Sequence, residues 1–309
     1  MAWSRLIRFV DENDDICFGD ALVDPSGDLL GLLKAGNLTA KKLAGQDLFS
    51  ASPTGEVCRV KKLLGPLDAE NVPIIRCIGL NYAKHISVKE TGRAPPPYPS
   101  IFIKPSRSVT GWDDDIPIPR IAQEDQLDYE GELVSVKPGE STSTTVLTGI
   151  KAIVIGKEGR DISVESALEH VAGYTVANDV SARTWQRDPK FAGGVPQWCF
   201  SKGFDHFAPM GPAIVSPSVL GPADDLELQT RVNGELRQEA STDDLVFGVR
   251  KVIAFASQGT TLEKGSVILT GTPGGVALGM KPPRWLGDGD IVEVSISGIG
   301  TIRNRMVFM

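Results

Sequence analysis

The sequence has few of the side chains that usually bind zinc, since only three of its 309 residues are histidine and only four are cysteine. His85, His170 and His206 are too far apart for an HExxH motif. The cysteines show no CxxC spacing. We therefore expect neither a zinc site nor a disulfide framework.

Basic residues are in the minority, because 32 Lys and Arg against 39 Asp and Glu give a net charge of -7. Nucleic-acid surfaces carry clustered basic residues, and no such cluster occurs in this sequence. Uninterrupted apolar stretches of about 18 residues are also missing, as is an apolar segment near the N-terminus. We expect an intracellular, cytoplasmic protein that binds no nucleic acid and no membrane, and whose partner is a small molecule.

Two common catalytic signatures are missing as well. The stretch GTPGGVALGMK at 271–281 resembles a phosphate loop but lacks the Gly-Lys-Ser/Thr ending, and no GxGxxG opens a helix after a strand. No GxSxG nucleophile elbow occurs. Nucleotide binding and ordinary serine hydrolase chemistry are therefore not expected.

Turn signals and apolar spacing predict a small β-rich domain over residues 1–65, a linker over 66–72 and a larger domain over 73–309. The Asn233-Gly234 dipeptide predicts a hairpin, because both central residues of a type I′ turn need positive φ. Helices are predicted at 163–171, capped by Ser163, and at 241–259, after a Ser/Thr cap. Strands outnumber helices without alternating with them, which predicts an α+β fold. The predicted strands cover residues 5–10, 17–23, 74–80, 133–136, 226–232, 266–272 and 291–297.

Three acids crowd the stretch LDYEGELVSV at 127–136, where β-type neighbours would send Asp128, Glu130 and Glu132 to one face of a strand. Like charges held that close destabilise a strand unless a cation or a shared proton neutralises them. A solvated edge face explains the pattern equally well. Asp179 ends a second β-like run, and three carboxylates completed by water suit Mg²⁺ or Mn²⁺.

Ordered motifs then carry a resemblance that covers nearly all of residues 73–309. The motifs are CIGLNYAKH (77–85), FIKPS (102–106), DYEGEL (128–133), YTVANDVSARTWQRD (174–188), FSKGFDHFAPMGP (200–212) and TGTPGGV (270–276). Together they resemble the fumarylacetoacetate hydrolase family, in its acylpyruvase and oxaloacetate decarboxylase-like branch. The resemblance implies a β-rich fold of that family's type, a mixed β-sheet roll with a small N-terminal β-rich domain.

The resemblance also implies roles for seven residues, each matched by motif. Glu130, Glu132 and Asp179 would hold a divalent metal, Mg²⁺ or Mn²⁺. Lys202 would be the active-site lysine, and Gln186 and Thr272 would contact substrate. His85 would be the histidine of the catalytic pair, and Glu90, which no motif matches, is the candidate for its acidic partner. A homodimer is implied as the assembly.

One position departs from the family pattern. The histidine usually has a glutamate three residues later, but here Val88 stands at that position and the next acid is Glu90. The change alters the spacing between His85 and the acid that would orient it for the activation of water.

We predict metal-dependent hydrolysis of a C–C bond in a β-diketo acid such as an acylpyruvate or fumarylacetoacetate, through an enolate that the metal stabilises. Decarboxylation of an oxaloacetate-like β-keto acid and keto-enol isomerisation at the same site are the alternatives. A protein that binds metal and keto acid without catalysis is the alternative from another class.

Overall fold

The computed structural model describes residues 2–24, 27–45, 48–79, 81, 96–132, 152–223, 226–241 and 246–309, and only the backbone of Glu132 and Ser241. The predicted His85 and Glu90 and the predicted strand at 133–136 lie outside the described residues. Helices make up 17% and strands 39% of the described residues, which confirms the predicted β-rich α+β class.

The strands follow one another along the chain in this order: β1 Arg5–Val10, β2 Ile16–Ala21, β3 Thr39–Ala44, β4 Ser52–Arg59, β5 Lys62–Leu64, β6 Ile75–Gly79, β7 Ser100–Lys104, β8 Val109–Thr110, β9 Ile116–Ile118, β10 Leu127–Asp128, β11 Gly131–Glu132, β12 Ala152–Ile155, β13 Gly159–Arg160, β14 Val171–Asn178, β15 Ser181–Ala182, β16 Ala208–Val215, β17 Glu227–Val232, β18 Glu235–Ser241, β19 Thr261–Leu262, β20 Val267–Leu269, β21 Ile291–Ile296 and β22 Gly300–Phe308.

The helices are short. The α-helices are α1 Leu29–Lys34, α2 Arg183–Arg187, α3 Pro189–Ala192, α4 Trp198–Lys202, α5 Pro217–Leu220 and α6 Val249–Ala256. Single 3₁₀ turns occur at Ser106–Ser108, Arg120–Ala122, Ala167–His170 and Ala277–Gly279. None of the described helices is long and apolar enough to cross a membrane.

A 13-stranded sheet has the order β4-β3-β2-β1-β16-β14-β12-β20-β6-β7, with β11 added to β14, β5 to β1 and β8 to β16. A five-stranded sheet, β18-β17-β21-β22-β9, and the two pairs β10-β15 and β13-β19 complete the fold. Every residue of the neighbouring strands β14 and β16 is buried, as expected for strands covered on both faces. The rigid centre of the large sheet therefore lies next to the segment that carries Asp179.

The N-terminal strands continue this large sheet, because β1 pairs antiparallel with β16, Leu6 opposite Ile214. The division at residue 65 stays a prediction. Most predicted strands of the larger unit are confirmed, with the 266–272 run ending early at Leu269. The hairpin is also confirmed, since Asn233 and Gly234 have φ values of 51° and 80° between β17 and β18.

Both predicted helices need correction. The 163–171 segment forms only a 3₁₀ turn, because Val171 already begins β14 and the backbone N–H of Gly156 donates to the carbonyl of His170 at 2.9 Å. The second helix begins at Val249 with Gly248 as its N-cap, while Ser241 belongs to β18. The predicted Ser/Thr cap is therefore wrong.

Candidate active site

Two neighbouring segments bring the first acids together. β11 pairs with β14, Gly131 opposite Asn178, and β10 pairs with β15 on the far side of Glu130. Between these pairs the Asp179 N–H donates to the Glu130 carbonyl at 2.9 Å, and the Glu130 N–H donates to Asn178 Oδ1 at 2.9 Å. Backbone pairing thus places Glu130 beside Asp179, although they are 49 positions apart in the sequence.

Lys202, at the end of α4, lies between the two carboxylates. Its Nζ is 2.6 Å from Asp179 Oδ2 and 3.0 Å from Glu130 Oε2, and it donates to Ser181 Oγ at 2.7 Å. The ammonium also lies 5.2 Å from the ring centroid of Phe102, a distance at which a cation is attracted to an aromatic face. Two acids from different segments therefore converge on one cationic atom.

Arg183, the first residue of α2, binds three further groups. Its Nε donates to Asp128 Oδ2 at 2.8 Å, its Nη1 donates to Gln186 Oε1 at 2.9 Å, and its Nη2 donates to Glu130 Oε1. The planar guanidinium suits this task because its donors point in fixed directions. The predicted substrate residue Gln186 is buried and held in place by this arginine.

Asp128 has a separate set of partners. Its Oδ1 accepts from the backbone N–H of Ala277 at 2.8 Å, and its Oδ2 accepts from that of Leu278 at 3.2 Å. Asp128 therefore ties the chain beyond the TGTPGGV motif to Arg183. The crowding of Asp128 and Glu130 is explained by the one guanidinium they share.

The electrostatics follow from burial among opposite charges. Burial by itself would raise the pKa of Glu130, but the charges of Arg183 and Lys202 and their hydrogen bonds outweigh it and lower that pKa to about 2. Burial would lower the pKa of Lys202, but Asp179 and Glu130 outweigh it and raise that pKa. At neutral pH Glu130 is therefore a carboxylate and Lys202 an ammonium ion.

The donor set fits a hard divalent cation. Glu130 and Asp179 offer carboxylate oxygens that already converge on one positive charge, and Glu132 is two positions along the same stretch, in β11 opposite Ala177. Oxygen ligands of this kind are those that Mg²⁺ and Mn²⁺ prefer. Within the described side chains no three acidic, histidine or cysteine groups form a complete metal cluster. Glu132 stays a predicted third ligand, because its side chain is outside the described part.

A glutamine from the smaller sheet fastens the predicted substrate loop to the acidic segment. Gln238 Oε1 accepts from the Gly131 N–H at 3.1 Å, and its Nε2 donates to Thr272 Oγ1 at 2.9 Å and to the Pro273 carbonyl at 3.2 Å. Thr272 Oγ1 in turn donates to the Gly131 carbonyl at 3.0 Å. Thr272 thus lies against the residue between the two glutamates.

Gly131 is required by the packing. A Cβ at this position would lie 2.2 Å from Thr230 Oγ1 and 3.2 Å from Gln238 Oε1. Any larger residue between Glu130 and Glu132 would therefore push the segment away from the smaller sheet.

Three residues of this cluster had no role in the sequence-based prediction: Lys104, Arg183 and Gln238. Lys104 donates to Asp179 Oδ1 at 2.5 Å. The signal for Lys104 and Arg183 was present, because they lie in the FIKPS and NDVSAR motifs. Gln238 lies in none of the motifs, and only the fold brings it to the site.

The sequence and the fold are similar to those of known proteins. The family profile described as "Fumarylacetoacetate (FAA) hydrolase C-terminal" matches residues 74–145 and 151–307. The chain is 38% identical over 312 residues to caffeoylpyruvate hydrolase of Neonothopanus nambi, covering 98% of this chain and 93% of that protein. It is 39% identical over 247 residues to oxaloacetate tautomerase YisK of Bacillus subtilis (strain 168), covering 79% and 73%.

Among solved structures, 2-hydroxyhepta-2,4-diene-1,7-dioate isomerase from Mycobacterium marinum superposes with a TM-score of 0.74 at 32% identity, covering 99% of this chain and 98% of that one. The chain is therefore an enzyme that belongs to the fumarylacetoacetate hydrolase family, in the branch of the acylpyruvate hydrolases and oxaloacetate tautomerases.

Proposed function

We propose that this enzyme hydrolyses the C–C bond of a β-diketo acid of the acylpyruvate class. The observation that carries the proposal is the convergence of Glu130 and Asp179 on the Lys202 ammonium, at 3.0 and 2.6 Å, in a site where all three residues are buried. The relative that matches nearly the whole chain is named a caffeoylpyruvate hydrolase, which favours an acylpyruvate over a shorter keto acid.

The proposal includes Mg²⁺ or Mn²⁺ held by Glu130, Glu132 and Asp179, and a homodimer as the assembly. When bound, the ion would act as a Lewis acid that withdraws electron density from the keto oxygen of the pyruvyl end. Buried carboxylates suit such an ion because they provide negative charge where water is excluded.

Lys202 provides the second positive charge of the proposed reaction. Its ammonium donates a hydrogen bond to the oxygen that becomes negative as the enolate of pyruvate forms, which is the task of an oxyanion hole. Because its pKa is raised, the group keeps its proton through the reaction. Thr272 and Gln186 bind the substrate carboxylate and the neighbouring oxygen.

The remaining steps use water. His85, oriented by Glu90, takes a proton from water as the water oxygen bonds to the distal acyl carbon. The bond between that carbon and the methylene carbon then breaks, and its electron pair becomes the enolate of pyruvate. Protonation of the enolate carbon gives pyruvate, and the acyl fragment leaves as a carboxylic acid.

Oxaloacetate tautomerisation is the second candidate, supported by the altered spacing of the catalytic pair. Glu90 follows His85 by five positions instead of three, and keto-enol conversion requires proton transfer but no water attack. The similarity to an oxaloacetate tautomerase over 79% of this chain supports the same alternative.

Proton NMR of the purified protein with acetylpyruvate, an aromatic acylpyruvate and oxaloacetate distinguishes these reactions. Hydrolysis produces pyruvate and the matching carboxylic acid, and this production stops when a chelator removes the metal. Decarboxylation produces pyruvate from oxaloacetate above the rate caused by free metal. Faster equilibration of the enol and keto signals of oxaloacetate, without new products, supports tautomerisation. Oxalate binding without turnover of any of these acids contradicts the proposed reactions.

Two lysine variants connect the result to the site. Lys202→Met removes the central ammonium and is expected to lower kcat by about 10²-fold or more, the typical effect of losing one oxyanion donor. Lys190→Met removes an exposed lysine of α3 and is expected to keep wild-type activity. Equal activity of the two variants would exclude the proposed role of Lys202.

A further inference from the structure

Lys104, at the end of β7, is a fully buried lysine that the reaction above does not use. Its exposed fraction is 0%, although lysine side chains are almost never fully buried unless they are paired. A buried ammonium is costly to the fold unless strong partners compensate for its lost hydration. We therefore expect the buried Lys104 ammonium to have strong partners and a specific function.

The partners of Lys104 occupy every donor it has. Its Nζ donates to Asp179 Oδ1 at 2.5 Å, to the Phe207 carbonyl at 2.6 Å and to the Val180 carbonyl at 3.3 Å. An ammonium group has three N–H donors. Because two of its three acceptors are backbone carbonyls, Lys104 has a fixed direction.

The two oxygens of Asp179 consequently have different surroundings. Oδ1 is held by Lys104, whose other acceptors are the backbone carbonyls of Val180, just before β15, and of Phe207, just before β16. Oδ2 faces the Lys202 ammonium, which Glu130 also contacts. Lys104 therefore fixes the carboxylate at Oδ1, while Oδ2 faces the candidate site.

We propose that Lys104 is a positioning residue that holds the Asp179 carboxylate in the orientation needed to bind the divalent metal. The inference rests on the proposed function, in which Asp179 is a ligand. Without Lys104, Asp179 Oδ1 loses its charged partner, and the orientation of the carboxylate then depends on the contact of Oδ2 with Lys202. Groups that orient metal ligands typically contribute about 10- to 100-fold to metal affinity, and we expect a loss of that size.

The test measures Mn²⁺ binding to the full-length, chelator-treated protein by electron paramagnetic resonance of free Mn²⁺. Lys104→Met keeps the length and the apolar stem of the side chain and removes the ammonium. Met306→Ala, a buried core residue of β22, is the matched control for lost stability. We expect Lys104→Met to raise the Mn²⁺ Kd about 10- to 100-fold, and Met306→Ala to lower Tm while its Kd stays at the wild-type value.

The possible results distinguish an error in the proposed metal from an error in the proposed role of Lys104. If the wild-type protein binds no Mn²⁺, the metal in the proposed function is wrong. If the wild-type protein binds Mn²⁺ and Lys104→Met binds it equally well, Lys104 is only structural and the inference is overturned. A rise in Kd for Met306→Ala equal to that for Lys104→Met would also overturn it, because lost stability would then explain both.

A measurement on protein that keeps Lys104 covers the case in which Lys104→Met fails to fold. Protein labelled with ¹⁵N-lysine is titrated with Mg²⁺, and Lys202→Met assigns the signal of the second buried ammonium. We expect the Lys104 ammonium resonance to shift and to saturate together with metal binding. An unchanged Lys104 resonance at saturating Mg²⁺ would contradict the positioning role.

Discussion

Arg183 and Asp128 form a buried ion pair, with Nε 2.8 Å from Oδ2 and the two side chains 8% and 0% exposed. The pair joins the start of α2 to the stretch that carries the acids. Because Asp128 also accepts the N–H groups of Ala277 and Leu278, it fixes the end of the TGTPGGV motif as well. Asp128 thus stabilises the cluster through Arg183, while Glu130 and Asp179 contact the Lys202 ammonium.

Asp128→Asn is expected to destabilise the protein by about 3 kcal/mol, because losing one partner leaves the Arg183 charge uncompensated in the interior. Urea denaturation of the chelated protein measures the change. Asp115→Asn breaks an exposed pair with Arg305, 2.5 Å long with side chains 55% and 51% exposed, and is expected to cost less than about 1 kcal/mol. Similar losses for the two variants would show that the buried pair has no special importance.

The sequence predicted most strands and the acids of the site, and it did so where the signal was local. Asp128 and Glu130 both contact Arg183, but not through alternation along one strand, because Tyr129 and Glu130 separate β10 from β11. What spacing could not predict is the pairing of Gly131 with Asn178. Register between distant strands is set by packing across the whole sheet, which a local pattern does not contain.

The helix predicted at 163–171 is a second case in which distant contacts outweigh the local sequence pattern. Its apolar positions have helical spacing, yet a helix of fewer than three turns depends on tertiary contacts more than on propensity. Here those contacts favour a strand, because β14 pairs with both β12 and β16. The turn is completed by His170, whose ring Nδ1 lies 2.9 Å from the Lys157 carbonyl.

Gly131→Ala tests whether the residue between the two glutamates must lack a side chain. The new methyl carbon would lie 2.2 Å from Thr230 Oγ1, so we expect the segment to shift, with about 1–3 kcal/mol of lost stability and weaker Mn²⁺ binding. Gly274→Ala is the matched control, because a Cβ there meets no atom within 4 Å. Wild-type Mn²⁺ affinity in Gly131→Ala would contradict the packing argument.

The low pKa of Glu130 predicts how acid destabilises the protein. The pKa is 4.5 for an ordinary glutamate and about 2 in the folded state, so the unfolded chain binds a proton first as the pH falls. The stability that ionised Glu130 contributes is complete above about pH 4.5 and is lost as the pH falls toward 2. The lowering of this pKa from 4.5 to about 2 corresponds to at most about 3–4 kcal/mol.

Glu130→Gln should therefore flatten the pH dependence of unfolding in this window. The variant is expected to be less stable than the wild type at pH 7, because Arg183 and Lys202 lose a charged partner, and the gap should narrow as the pH approaches 2. Urea titrations of chelated protein at several pH values measure both effects. A constant gap from pH 7 to pH 2 would show that Glu130 does not titrate as its surroundings require.

Gln238→Met tests the link between the TGTP loop and the acidic segment. The glutamine is 1% exposed, and its loss leaves the Gly131 N–H and the Pro273 carbonyl without their partner, each at a cost of about 1–3 kcal/mol. Thr272 also loses the donor that orients its hydroxyl. We expect KM for the keto acid to rise by about 10-fold or more while the metal affinity changes less, because the loop shifts and Glu130 and Asp179 keep their contacts with Lys202.

Gln229→Met is the control for this variant. It removes the side-chain bond to Glu239 on the same hairpin and is expected to leave KM unchanged. If Gln238→Met raised the Mn²⁺ Kd while KM stayed at the wild-type value, Gln238 would support the metal ligands instead of the substrate loop.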